Sequence, residues 1–285
     1  RLVGSEMCIR DSSIEDALQA KTFLEQPITF KKGNARTAIA NAKNTLQGSI
    51  IIGGQEHFYL EGQAALAIPH DDGDITIHCS TQHPSEIQHK AADALKKPMN
   101  AIRVQVRRMG GGFGGKESQA NALAVACALM AEKTGKPCKM RYDRDDDMII
   151  TGKRHDFRID YRVGFNQLGK IDGIEFEHFV RCGWSADLSI PVADRAMLHS
   201  DNAYFLSDVK ITSHRLLTNT QSATAFRGFG GPQGMVGIEQ VVSHIAQYLK
   251  KDALKVSELN FYKNPSKDQN NYQTTPYHMP ISDSI

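Results

Sequence analysis

Twice along this chain a strand-like stretch runs into a glycine-dense loop and leaves it as a helix-like stretch. The first loop is Gly110-Gly111-Gly112-Phe113-Gly114-Gly115-Lys116-Glu117, and the second is Ala225-Phe226-Arg227-Gly228-Phe229-Gly230-Gly231-Pro232-Gln233. Glycine lets the backbone come close to a ligand, and the interspersed aromatic and charged side chains can read what is bound. Two such loops demand a fold that carries strands into helices and brings irregular backbone to a small-molecule or cofactor site.

Around the loops the apolar pattern changes period. A helix is predicted over Ser13–Phe23, with Ser12 or Ser13 as its cap. Strands are predicted over Ser49–Gly53, His57–Ile68, Asp74–Ser80 and Ile102–Arg107, and a helix over Ser85–Leu95. Ser118–Lys133 is rich in alanine, and its near-continuous apolar character predicts a buried helix. Cys138–Tyr142, Arg158–Phe165 and Ile171–Val180 read as antiparallel strands, and Asp208–Leu217 as a further strand. Gln233–Leu249 has its apolar side at Val236, Ile238, Val241, Val242, Ile245 and Ala246, which is helical spacing. Strands and helices mix without a regular βαβ repeat, so the fold class is α+β, with helices on antiparallel or mixed sheets. The run Asp143–Asp147 reads most simply as a solvated turn.

Composition narrows the function classes. A chain of 285 residues fits one large domain or two ordinary ones. A formal net charge of +2 gives no reason to expect nucleic acid or an acidic membrane as partner. No apolar run approaches the roughly 20 residues that span a bilayer. The five cysteines are scattered and form no C-x-x-C pair, so no zinc or iron–sulfur motif is visible, and a reducing, cytoplasmic setting is expected. Residues 1–12 have no sustained period and are read as a junction or artefact outside the fold. Residues 271–285 read as a truncated tail, so the chain is expected to be a piece of something longer.

Two familiar fingerprints overlap the first loop. Gly110-x-Gly112-x-x-Gly115 fits the dinucleotide pattern G-x-G-x-x-G, and Gly110 through Lys116 nearly fits the phosphate-binding pattern G-x-x-x-x-G-K-[ST]. Glu117 stands where the second pattern needs a hydroxyl on magnesium, and a carboxylate there would repel phosphate. The first pattern lacks the following acidic residue of its βαβ unit. The plain alternative is a tight strand-to-helix turn. In the second loop, Arg227 between Phe226 and Phe229 suits an anion or a planar heterocycle.

A more specific resemblance rests on several motifs in order. They are Gly53-Gly54-Gln55-Glu56-His57-Phe58-Tyr59-Leu60-Glu61, Ser80-Thr81-Gln82, Arg108-Met109 with the first glycine loop, Asp143-Arg144 with Thr151-Gly152, and Thr224 with the second loop. Together they resemble the molybdopterin-binding part of the xanthine dehydrogenase/oxidase family, over about residues 13–270. The resemblance implies part of a molybdenum-binding catalytic domain, with molybdenum held by the dithiolene sulfurs of molybdopterin and few or no ligands from protein. It further implies 2Fe-2S clusters and FAD on other domains or subunits, with an oligomeric parent.

Residue by residue, the resemblance places Gln82, Phe113 and Arg227 around the molybdenum without ligating it, with Gly114 bringing backbone close to the cofactor. It places Glu117 and Arg195 on a purine substrate and Phe229 against its ring, where aldehyde-oxidising relatives generally carry apolar residues at the first two positions. A buried Glu and Arg are costly without polar partners, and a purine supplies them. The implied reaction is hydroxylation of an electron-poor carbon with oxygen from water, hypoxanthine and xanthine going to urate and electrons passing to NAD or oxygen. The general-base Glu of the family is expected downstream, so no catalytic residue is assigned within this chain. Two other readings stay open: oxidation of an aldehyde or another N-heterocycle, and a non-catalytic fragment.

Overall fold

The computed structural model describes residues 13–262, so the expectations for residues 1–12 and 271–285 fall outside it. The chain opens with α1 (Ile14–Ala20), β1 (Ile28–Lys32), α2 (Ala35–Asn41) and β2 (Asn44–Ile52). Next come β3 (Ala64–Pro69), β4 (Ile75–Cys79), α3 (Pro84–Leu95), β5 (Ile102–Gln105), α4 (Ala120–Thr134), β6 (Cys138–Arg141) and α5 (Arg144–Ile150). The remainder runs β7 (Phe157–Phe165), β8 (Ile171–Gly183), α6 (Ser189–Leu198), β9 (Val209–Leu217), α7 (Gly231–Leu249) and α8 (Ala253–Asn260). The chain divides into two compact units: unit 2 is Gln55–Arg154 with Gln221–Arg227, and unit 1 is the rest. The α+β class is as expected, and both sheets mix parallel with antiparallel pairs.

Unit 1 is built on a five-stranded sheet in the order β1-β9-β8-β7-β2. Alternation sends Phe157, Ile159, Tyr161 and Val163 of β7 into the core, where they meet Ile174 and Phe176 of β8 and Ile238, Val241, Val242 and Ile245 of α7. Burying each such side chain stabilises the unit by roughly 1.5–3 kcal/mol. The opening helix is shorter than expected. Ser13 Oγ accepts from Asp16 N–H at 3.1 Å and Asp16 answers on Ser13 N–H, but Lys21 turns left-handed and Phe23 bridges to Leu216 instead.

His178 on β8 is fully buried, with the edges of Phe157 and Phe176 around it. Burial, then the nearby Arg215 guanidinium, push its imidazole down to about 3 from the ordinary 6.5. The unfolded chain therefore binds the proton more readily, so this contribution to stability is complete above about pH 6.5 and is lost as pH falls towards about 3. Melting temperature should decline over that window, and His178→Leu should flatten the decline. An equal slope in the variant would contradict it.

Unit 2 carries a four-stranded sheet in the order β5-β4-β3-β6. Ile75, Ile77 and Cys79 alternate inwards from β4 onto α3 and α4. The apolar run of α4 is buried along one face only, at Ala120, Leu123, Ala124, Cys127, Ala128 and Ala131, while Met130 is 52% exposed. The expected strand over His57–Ile68 begins only at Ala64, because Phe58 takes a positive φ of 51° and Tyr59 turns inwards. The Asp143–Asp147 run is not a solvated turn. Asp143 caps α5 by accepting from Asp146 N–H at 2.8 Å, and Asp147 is buried. Among the described residues no helix is long and apolar enough to cross a membrane.

Candidate cofactor-binding site

In unit 2 the polar turn after β4 is sewn to the first glycine loop. Gln82 N–H and Thr81 Oγ1 both donate to the Lys116 carbonyl, at 2.8 and 3.1 Å. The Gln82 side chain then accepts on Oε1 from Gly114 N–H at 2.8 Å and from Lys116 N–H at 3.3 Å. Both partners are donors, so the amide oxygen must face the loop and the Nε2 group must face away. That Nε2 makes no hydrogen bond among the described residues, and the side chain is exposed. A Cβ on Gly112 would lie 2.5 Å from Gln82 Oε1, so this arrangement needs glycine there.

Lys116, the residue that invited a phosphate-binding reading, points inwards. Its side chain is fully buried, and Nζ donates to the Glu61 carbonyl at 2.6 Å and Ser80 Oγ at 2.8 Å while lying 4.7 Å from the Tyr59 ring centre. Burial lowers its affinity for the proton, and the Glu61 carboxylate at 3.6 Å opposes that shift. Burial likewise raises Glu61, but the Gly110 N–H, Lys116 and Ser80 outweigh it and hold the carboxyl below its usual range. The helix after the loop starts only at Ala120, so no helix N-terminus follows Gly115 directly. Neither nucleotide fingerprint therefore has its structural context.

Asp147 is the other inward anchor. It accepts from Tyr59 OH at 2.6 Å, Gln63 N–H at 3.0 Å and Thr151 Oγ1 at 3.2 Å, tying the Tyr59 segment to α5. Neither Lys116 nor Asp147 was assigned this role from sequence. A buried lysine or aspartate shows as a charge in the sequence, and its partners lie far along the chain.

The part of the second loop that belongs to unit 2 meets the first loop. Arg227 N–H donates to the Phe113 carbonyl at 2.9 Å, and Thr224 N–H donates to the Lys153 carbonyl at 2.9 Å. A Cβ on Gly114, whose φ is 100°, would lie 2.7 Å from both the carbonyl carbon and oxygen of Ala225. Phe113 is held at φ 54° with its side chain 48% exposed. A bulky residue in the left-handed region costs about 1–3 kcal/mol, and such strain gathers at ligand sites. Gln82, Phe113, Gly114 and Arg227 are thus brought together within unit 2. Glu117, partly buried, follows the same loop.

Arg195 and Phe229 belong to unit 1. Arg195 is exposed in the last turn of α6, whose Asp194 forms an ion pair with the fully buried Arg215. The start of α7 packs on α6 backbone to backbone: a Cβ on Gly230 or Gly234 would fall 2.0 or 2.2 Å from the carbonyl oxygens of Val192 and Ala196. The same packing sets Gly231 within 3.9 Å of Arg195 Nε, measured from the position of an added Cβ. Phe229, at φ 50°, sits immediately before this contact.

The donor set of unit 2 fits a bulky organic group with oxygen acceptors and negative charge. It offers a fixed amide N–H₂, a guanidinium on an exposed side chain, and glycine backbone with no Cβ to fill the approach. Among the described residues no group of three or more His, Cys, Asp or Glu is placed to hold a metal ion.

Comparison with known proteins points the same way. Residues 16–261 match the family model of the molybdopterin cofactor-binding domain. The chain is 42% identical over 270 residues to xanthine dehydrogenase of Drosophila subobscura, covering 94% of this chain and 20% of that protein. It is 42% identical over 252 residues to xanthine dehydrogenase/oxidase of Felis catus, covering 88% and 19%. It therefore spans about a fifth of the length of these curated relatives. Among solved structures, quinoline 2-oxidoreductase from Pseudomonas putida superposes with a TM-score of 0.83 at 18% identity, covering 94% of this chain and 35% of that one. The aldehyde oxidoreductase of Desulfovibrio desulfuricans does so with 0.79 at 22%, covering 89% and 29%. These matches, on the fold and loop geometry described, show that the chain belongs to the molybdopterin cofactor-binding domain family.

Proposed function

We propose that this chain forms the Gln82–Phe113–Arg227 face of a molybdenum hydroxylase that oxidises hypoxanthine and xanthine to urate. The observation that carries the cofactor part is the Gln82 amide, whose oxygen is consumed by two loop N–H groups so that only donors remain. The 42% identity to xanthine dehydrogenases supports the choice of purine. When bound, molybdenum–molybdopterin supplies the two-electron oxidation. Each net step adds one oxygen from water to the purine carbon and releases two electrons and two protons.

The residues of this chain do the positioning. Gln82 Nε2 donates to an oxygen carried by the cofactor, and the strained Phe113–Gly114 backbone admits it closely. The Arg227 guanidinium balances cofactor charge. Glu117 pairs with polar edge groups of the purine, Phe229 packs against its ring, and Arg195 stabilises negative charge as it builds on the heterocycle. The general base is expected outside this chain, and the 2Fe-2S clusters and FAD that carry electrons to NAD or oxygen on other domains or subunits.

Glu117→Ala and Arg195→Met in the full-length parent should each lower kcat/KM for xanthine at least about tenfold while molybdenum per chain stays unchanged. Unchanged xanthine kinetics in both variants would reject the purine assignment. A substrate panel on the same enzyme that prefers aldehydes would favour the other hydroxylase reading.

A further inference from the structure

We propose that Arg154 and His57 are positioning residues, which both pack on the Phe226 ring and so fix the backbone that presents Phe113 and Arg227 to the cofactor. The inference rests on the cofactor reading above and assigns two residues that lie behind the face it describes.

Both side chains are buried, Arg154 at 8% and His57 at 6% exposure. The Arg154 guanidinium lies 3.9 Å over the Phe226 ring centre, and the His57 ring stacks on Phe226 at 4.6 Å and 27°. A cation over an aromatic face away from water is held by the negative face of the ring. Arg154 also uses its fork. Nε donates to Gln55 Oε1 at 2.6 Å and Nη2 donates to the Arg227 carbonyl at 3.0 Å. The Arg227 N–H is already given to the Phe113 carbonyl at 2.9 Å. The peptide groups on both sides of Arg227 are therefore pinned, and with them the direction in which its exposed side chain leaves the loop.

His57 reaches both loops. Its Nε2 pairs with the Ala225 carbonyl at 2.7 Å, and since a carbonyl only accepts, that nitrogen carries the hydrogen. A Cβ on Gly115 would come within 2.7 Å of His57 Cγ, so the imidazole also backs the first loop. Among the described residues Nδ1 is buried without a hydrogen-bond partner. Burial lowers the affinity of the ring for a second proton, which suits a neutral, stacked spacer. The burial and fixed partners of both residues make them supports; neither is assigned contact with substrate.

The test uses the full-length parent loaded with cofactor, in wild type, Arg154→Lys and His57→Phe. Lysine keeps the charge but has no planar fork, so it cannot bond Gln55 and Arg227 while covering Phe226. Phenylalanine keeps the stack and loses the Ala225 bond. The readouts are molybdenum per chain, melting temperature, the Mo(V) electron paramagnetic resonance spectrum, kcat and KM. Arg154→Lys should keep its molybdenum, shift the Mo(V) spectrum and lower kcat about tenfold or more with KM changed less than about threefold. His57→Phe should move the same readouts in the same direction by less. If Arg154→Lys does not fold, His57→Phe carries the test. A wild-type spectrum and wild-type turnover per molybdenum would overturn the inference, whether or not melting temperature falls. A wild-type parent that holds no molybdenum would instead contradict the cofactor reading itself.

Discussion

Gly114→Ala in the full-length parent should lower the melting temperature by roughly 5–10 °C and reduce bound molybdenum to less than about half. Two costs add at this position. The backbone φ of 100° is one that L side chains rarely adopt, and the new methyl would lie 2.7 Å from the Ala225 carbonyl group, which cannot swing aside. Relieving the clash would drag Gly114 N–H away from Gln82 Oε1 and free the amide that it orients. Together these amount to about 3 kcal/mol or more, in the range of the severe single-residue mechanisms. Gly73→Ala separates the two costs, because Gly73 has a similar φ of 87° with nothing within 4 Å of an added Cβ. It should lose only about 1–2 kcal/mol and keep its molybdenum. If Gly114→Ala behaves like Gly73→Ala, the close contact between the two loops is not what shapes the site.

Where the fold was legible in the sequence, a local cause sufficed. Alternation alone gives β4, since Ile75, Ile77 and Cys79 face one way. Ser13 followed by Asp16 gives the start of α1 through a reciprocal cap. The period of α7 names its buried face, although Val236 of that set is 41% exposed. Elements set by distant partners were hidden. The short strand β1 owes its place to pairing with β9 across the sheet. Pro191 stands within the first turn of α6, where a proline gives up an N–H that has no helical partner.

The candidate site divides along the same line. The glycine loops declare themselves, because only glycine tolerates the positive φ and close approach at Gly114. Gln82 reads locally as a turn residue, and family motifs alone single it out. Its chemical state then follows from two N–H groups that the sequence places more than thirty residues on. Lys116 all but completes a phosphate-loop pattern that Glu117 already spoils, and its ammonium is enclosed by Glu61, Ser80 and the Tyr59 ring. Asp147 lies within an acidic run that looks solvated, and the Tyr59 hydroxyl that explains its burial is 88 residues away.

Gln82→Glu in the loaded full-length parent, assayed at pH 8, tests the central claim most directly. A carboxylate has the same shape and still accepts from the Gly114 and Lys116 N–H groups, so fold and loop closure should persist. The single loss is the outward N–H₂ donor, replaced by negative charge. Molybdenum per chain and melting temperature should stay close to wild type while turnover per molybdenum falls about 100-fold or more, the scale of removing one fixed donor from an active site. Wild-type turnover per bound molybdenum in this variant would show that the Gln82 amide does not face the chemistry.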